Sequence, residues 1–473
     1  MRGSRYRVLI VLLTVCLQSS VLGQEFSERQ EIAIFRLSYY GQPISESPAN
    51  LKVEIRGRRS SVTLELRGSG DPQVDQLFIR TLGAVDERIR STFINLGRFD
   101  IIGVDQRLTQ QGVDDFIDLL TEFKRSQTEL PEAVLLGQAT FTEADFQRLV
   151  GGFVVVVPSV SWYSLTRQED GSSRAEIETS FSFINVENLT TFDQFFITTS
   201  GVDDVPETAV KEATDAITSE LSFRLRSMSE FQIKTGILEV SGREVVVEFG
   251  RNMGLRPGDE YAIVSNRVLS SGHIAGTETG LIVISEVQNG FSIGHVLYSN
   301  PRAMVGDQLQ EIARRGIELS GYVDAITNGL TGVTYTVGAR AVASRGFYAW
   351  RPLGAVEIPF RGLLGETLLP MNMLLGGEWN LYLGRLKVTP SVAVGIGGAV
   401  PLSSDDQLQS FYLSHYGGQI RATGSVLITR DIQLFVETGF VLWRSVYDNS
   451  VTRLIVPLSD YGGLLIGGGI TFK

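Results

Sequence analysis

Gly417-Gly-Gln-Ile-Arg-Ala-Thr-Gly-Ser-Val-Leu-Ile-Thr429 alternates apolar and polar side chains along its length. Ile420, Ala422, Val426 and Ile428 share one face, and Gln419, Arg421, Thr423 and Ser425 share the other. A period of two is the signature of a strand with one wet and one dry face. The run outlasts the roughly 5–6 residues of an ordinary globular strand. Seven more segments of this kind surround it, giving strands over 316–326, 332–344, 347–358, 373–384, 386–399, 417–429, 431–445 and 462–472. Eight long alternating segments predict a closed antiparallel transmembrane β-barrel across 316–473. This region holds 24 of the chain's 50 glycines, so its architecture differs from what precedes it.

The links between segments read as short at Arg345-Gly346, Arg385 and Arg430, and as longer at the opposite end, including 400–416 and 446–461. Bacterial barrels of this class have short periplasmic turns and long external loops. This alternation predicts that both barrel termini, and everything upstream, lie in the periplasm. Gly467, Ile470 and Phe472 carry the spacing of a barrel-assembly signal. Tyr348, Trp350, Trp379, Tyr382, Tyr416, Trp443 and Tyr447 lie toward strand ends, as interfacial girdles do.

The polar face gives five acids, Glu318, Asp324, Glu357, Glu378 and Glu437, against four bases, Arg340, Arg351, Lys387 and Arg421. An eight-stranded barrel has room inside only for side chains. Charges there must pair, which predicts a salt-bridged plug rather than an open pore. Val426 is expected to face lipid from the middle of its strand. His415 neighbours Ser414 near an external link, but adjacent strand residues point apart, so no nucleophile–base pair is expected.

Upstream, Arg2, Arg5 and Arg7 precede an apolar run from Val8 to Leu17. That is a signal peptide over 1–23, cleaved before Gln24. Residues 24–235 alternate strands and helices, predicting an α/β domain. Helices are expected at 73–96, 112–126 and 144–149, and a long one at 206–228. A strand is expected at 61–66, followed by a turn at Gly68-Ser-Gly70. A small all-β module follows over 236–312, with short strands between Gly, Asn and Asp turns. The fold class is therefore α+β and multidomain. The net charge of −11 argues against a nucleic-acid surface. One cysteine and three scattered histidines leave no metal site, and no catalytic constellation or cofactor motif stands out.

The order of strands and helices through Gly97-Arg-Phe-Asp-Ile-Ile102 and Gly151-Gly-Phe-Val-Val-Val-Val157 resembles the curli-export (CsgG-type) periplasmic fold. The phrase Glu248-Phe-Gly250, followed by Gly254-Leu-Arg-Pro-Gly-Asp259, is similar to the β module of flagellar outer-ring (FlgT-type) proteins. The resemblance covers about 30–310 and implies a role in an envelope machine. The expectation is a non-enzymatic outer-membrane protein presenting a periplasmic assembly platform. Its expected partners are outer-membrane lipid, the barrel-assembly machinery and an unidentified periplasmic protein. The alternative is one component of an oligomeric export channel or small-solute pore.

Overall fold

The computed structural model describes residues 27–38, 77, 80–81, 83, 85–107, 115–119, 121–122, 133–136, 139–142, 154–268, 274–328, 332–360, 368–401, 412–445 and 461–473. The expected signal peptide, the 61–66 strand, the Gly68-Ser-Gly70 turn and the 144–149 helix lie outside them. The described chain forms two compact units, Glu28–Phe231, and Ser27 with Gln232–Lys473.

The first unit contains β1 (Gln30–Arg36), α1 (Val85–Leu96), β2 (Phe99–Arg107), the hairpin of β3 (Ala133–Leu136) and β4 (Ala139–Thr142), β5 (Val154–Arg167), β6 (Ser173–Asn185), β7 (Thr190–Asp203) and α2 (Pro206–Ser227). Five of its strands pair in the order β2-β1-β5-β6-β7, with β1 parallel to both neighbours. The apolar run at the start of β5 follows from cover on both faces. Val154 and Val156 join one core with Ile32 and Ile34, while Val155 and Val157 join another with Ala33, Phe35 and Phe116. Ala209, Val210, Ala213, Ile217, Leu221 and Leu225 recur at three- and four-residue steps and seat α2 on the first core. Pro206 begins the helix where its missing N–H costs nothing, and Arg224 and Arg226 complement the dipole at its end. Gly201 lets β7 approach closely, because a Cβ there would strike the Ala209 carbonyl.

The second unit begins with β8 (Lys234–Ser241), β9 (Glu244–Val247), β10 (Glu260–Val268), β11 (Ile274–Val287), β12 (Ser292–Ser299) and β13 (Gln308–Ile312). They close a six-stranded barrel in the order β10-β11-β12-β9-β8-β13. Ile237, Val245, Val247, Tyr261, Ile263, Ile282, Ile284 and Leu309 fill it. The closing strand β13 reads Gln-Leu-Gln-Glu-Ile, too polar to announce itself as a strand.

The larger barrel follows with β14 (Ile317–Asn328), β15 (Gly332–Ala343), β16 (Trp350–Pro359), β17 (Leu368–Trp379), the short β18 (Leu381–Leu383), β19 (Leu386–Pro401), β20 (Tyr412–Leu427), β21 (Ile432–Ser445) and β22 (Gly462–Phe472). Neighbouring strands are antiparallel. β14 pairs β22 and β17 pairs β19, so eight strands close the ring while β18 extends β17. The expected strict alternation of link lengths is corrected at the first pair. The β14–β15 link spans only 329–331, and β15–β16 takes 344–349. Link length alone therefore orients only the later strands.

Candidate functional site

The larger barrel is turned inside out relative to a soluble fold. Leu375, Val394, Val436, Leu464 and Ile466 are exposed on its outer face, while the polar set lies within. All nine charged residues expected inside are buried or nearly so. They sort into two layers.

Arg421 centres the middle layer, with its side chain 2% exposed. Its guanidinium lies 2.7 Å from Asp324 Oδ2 and 2.6 Å from Glu357 Oε1, and it also pairs with Glu437. Arg340 donates to both oxygens of Glu437, at 2.9 and 3.1 Å. The Tyr322 hydroxyl donates to Glu357 at 2.9 Å, and Thr423 Oγ1 donates to Glu437 at 3.1 Å. Both guanidiniums also lie over the Tyr322 ring, at 4.8 Å for Arg340 and 5.0 Å for Arg421. Two glycines make space for this layer. A Cβ at Gly338 would meet the Tyr322 ring, and one at Gly467 would meet the Asp324 carboxylate.

Nearer the six-stranded barrel, Arg351 donates to Glu318 at 2.9 Å and to the Tyr382 hydroxyl at 2.8 Å. Lys387 stands 3.8 Å from the second Glu318 oxygen, and Glu378 faces Arg351 across the β16–β17 pair. At the opposite end Asn372, Ser414, His415, Trp443 and Tyr461 form a third polar layer. Here the structure corrects the expectation that His415 and Ser414 diverge. A β-bulge opposite Gly397 and Gly398 admits an extra residue, and both side chains turn inward. Ser414 Oγ lies 2.7 Å from His415 Nδ1, and His415 Nε2 lies 2.8 Å from Asn372 Oδ1. Asn372 can only accept at Oδ1, so Nε2 carries the proton and Nδ1 accepts from Ser414. That is the order of a nucleophile, base and orienting amide. Ser414 is nevertheless 3% exposed, and Trp443 closes edge-on over the imidazole at 5.1 Å. No face of the hydroxyl is open to an acyl substrate.

Trp443 and Tyr382 thus belong to the interior, whereas Trp350, Trp379 and Tyr416 are exposed on the outer face. Val426 is half-buried at the end of β20, not mid-strand; Ile420 is the exposed mid-strand residue. Ile470 and Phe472 lie on the outward-facing register of β22, and Gly467 on the inward one beneath Asp324.

The end of the larger barrel that carries its termini is locked to the six-stranded barrel. Gly258 has φ +83°, and a Cβ there would collide with the Ser344 and Phe347 carbonyls. Glycine is therefore required in Gly254-Leu-Arg-Pro-Gly-Asp259 for contact between the barrels as well as for the turn. Gly346 N donates to Pro257 O at 2.8 Å, and Arg345 donates to the buried Asp259 at 2.9 Å. Arg314 bridges Glu260, Asp431 and the Arg430 carbonyl, while Lys473 pairs with Glu260 and Arg430 with Glu278. A shared apolar cluster joins Ala262, Leu281, Val283, Leu297 and Ile312 to Leu427, with Tyr348 and Tyr382 packed against it. Burial, then the bond to and charge of Glu278, push the Tyr298 hydroxyl up to about 12, so it stays a donor. Burial and the neighbouring Arg243 hold His295 below its usual range, with Glu244 opposing them. Apart from the Gly254-Leu-Arg-Pro-Gly-Asp259 phrase, none of these long-range contacts has a signature in local sequence.

Among the described residues no cluster of three or more metal-ligating side chains occurs, and no helix is long and apolar enough to cross a membrane. No protein-family model and no curated protein sequence matches the chain. Among solved structures it is similar to Neisserial surface protein A at 10% identity and TM-score 0.25, over 33% of this chain and 95% of that one. A hypothetical protein from Chlamydia trachomatis, CT253, is also similar, at 10% identity and TM-score 0.23, over 41% and 95%. The outer-membrane protein OmpT of Vibrio cholerae is similar at 10% identity and TM-score 0.15, over 67% and 95%. At these scores and identities nothing about function passes from those proteins to this one.

Proposed function

We propose that this chain is a non-enzymatic outer-membrane protein. Its eight-stranded barrel is an anchor with a filled lumen, and its N-terminal domains form a periplasmic platform for assembly of an envelope machine. The observation that carries the reading is the barrel's inverted polarity. An apolar outer belt suits lipid, and a lumen packed by Arg421 and its partners suits an anchor better than a pore. The lock at Gly258 and Asp259 supports a second element of the reading: the six-stranded barrel is a fixed base under the anchor rather than a tethered domain. The unit over 28–231 then offers the surface for partners, where Ile94, Phe196, Val202 and Val205 are exposed.

The test combines two readouts on the full chain. In a planar bilayer the protein is expected to give no stable open conductance. A photo-crosslinker at Val202 in intact cells is expected to capture a different periplasmic protein. Stable conductance together with a ladder of self-crosslinks would replace this reading with an oligomeric channel.

A further inference from the structure

The seam between the two barrels contains a cavity of about 570 Å³ whose lining includes Arg243, Arg302 and Arg385. Arg243 comes from the β8–β9 hairpin, Arg302 from the segment between β12 and β13, and Arg385 from the turn before β19. Their state differs from that of the other cations at this seam. Arg314, Arg345, Arg430 and Lys473 are each paired with a carboxylate. No ion pair involves Arg243, Arg302 or Arg385 among the described residues. Three of the nearby acids are already engaged, Glu260 by Arg314 and Lys473, Asp259 by Arg345, and Glu278 by Arg430 and Tyr298, which leaves exposed Glu244 as one carboxylate against the three arginines.

All three arginines are exposed, and two of them are held in place. The Arg385 guanidinium lies 4.1 Å over the Tyr298 ring, a cation–π contact that orients it without neutralising it. Arg243 packs against Gly384, the residue before Arg385, where any Cβ would strike its guanidinium. Ala303 and Leu297 are buried in the cavity wall. Leu383 and Leu386 flank Arg385 and are exposed on the outer apolar face of the larger barrel. Beside Arg302, Met304 and Val305 are exposed as well. Three guanidiniums against the single carboxylate of Glu244 leave a net positive rim that favours an anion. An apolar belt that ends at the rim adds a surface for acyl chains.

We propose that this seam pocket binds the phosphodiester headgroup of an anionic phospholipid from the leaflet facing the six-stranded barrel. Guanidinium groups suit the ligand because they present several donors to phosphate oxygens. The proposal rests on the reading of the larger barrel as a membrane anchor.

The experiment uses the full-length protein in nanodiscs of phosphatidylcholine and phosphatidylglycerol in equal amounts, with retained lipid counted by native mass spectrometry. Retention of phosphatidylglycerol over phosphatidylcholine is expected. Each of Arg243→Gln, Arg302→Gln and Arg385→Gln should reduce that preference about fivefold, the usual worth of one basic side chain near an anionic membrane. Arg256→Gln, at an exposed arginine outside the cavity lining, carries the same charge change and should leave the preference intact. A parallel arm adds inorganic phosphate, which should compete weakly. Full displacement by phosphate would identify a small-anion site and overturn the lipid assignment. Equal retention of the two lipids by the inserted wild type, or a preference that survives all three substitutions together, would overturn the pocket alone. A chain that fails to insert would overturn the anchor reading and the pocket with it.

Discussion

Replacing Arg421 with methionine is expected to destabilise the folded chain by about 3–5 kcal/mol, the usual cost of removing one member of a buried ionic network. Methionine is apolar and unbranched, so the loss isolates the charge and its bonds more than volume. Without Arg421, Asp324, Glu357 and Glu437 are left facing one another in a space too narrow for solvent, with Arg340 as the remaining strong partner of Glu437. The check is the urea midpoint of the heat-modifiable band in lipid micelles. Arg430→Met supplies the contrast. Arg430 and Glu278 are both substantially exposed, and such pairs contribute about 0–1 kcal/mol. Adding Asp324→Asn to Arg421→Met should recover part of the loss, because Arg421 is the cation that pairs with Asp324 and its removal orphans that charge. Equal, small effects at Arg421 and Arg430 would mean that water fills the lumen and that the plug is not one.

Ile420→Arg is the second large effect. Ile420 is 58% exposed at the middle of β20, and its cross-strand neighbours Val392 and Phe440 are exposed on the same face. Arginine on the lipid face near the midplane costs about 2–4 kcal/mol. In a soluble barrel the same substitution on the same face would cost almost nothing, since exposed surface changes fall within about 0.5 kcal/mol. The measurement is the unfolding midpoint of wild type and variant in vesicles, with Thr429→Arg as the control in the turn at the other end of the hairpin. A drop confined to Ile420→Arg supports lipid at this face; matched midpoints would place water there.

Much of the larger barrel was legible because its period of two is a local property. Ile420 and Arg421 take opposite faces in any strand, so the inward charges could be named before any contact was known. Which acid meets which base was not legible. The bonds from Arg421 to Asp324 and Glu437 depend on the ring's closure and stagger, which local alternation does not encode. The bulge at Ser414 escaped for a related reason. One extra residue reverses a facing rule that otherwise holds along the strand, and only the partner strand shows it. Val426 was misplaced along its strand, because alternation assigns faces and not depth. The lock at Gly258 carried a visible signal, Gly-Leu-Arg-Pro-Gly-Asp, but a tight turn explains that phrase equally well without a second barrel pressed against it. Lys473 follows Phe472 with no pattern of its own, and its pairing with Glu260 gives it a place in the seam.

The proposed anchor requires a barrel that crosses the outer membrane with its six-stranded base in the periplasm. Single cysteines at Ser404 and at Thr429, in a chain whose native Cys16 is replaced by alanine, test this directly. Ser404 lies in the 402–411 link, and Thr429 is exposed in the turn beside the six-stranded barrel. With a membrane-impermeant maleimide, Ser404→Cys should label in intact cells, and Thr429→Cys only after the outer membrane is permeabilised. Labelling of Thr429→Cys in intact cells, alone or together with Ser404→Cys, would contradict a periplasmic six-stranded base.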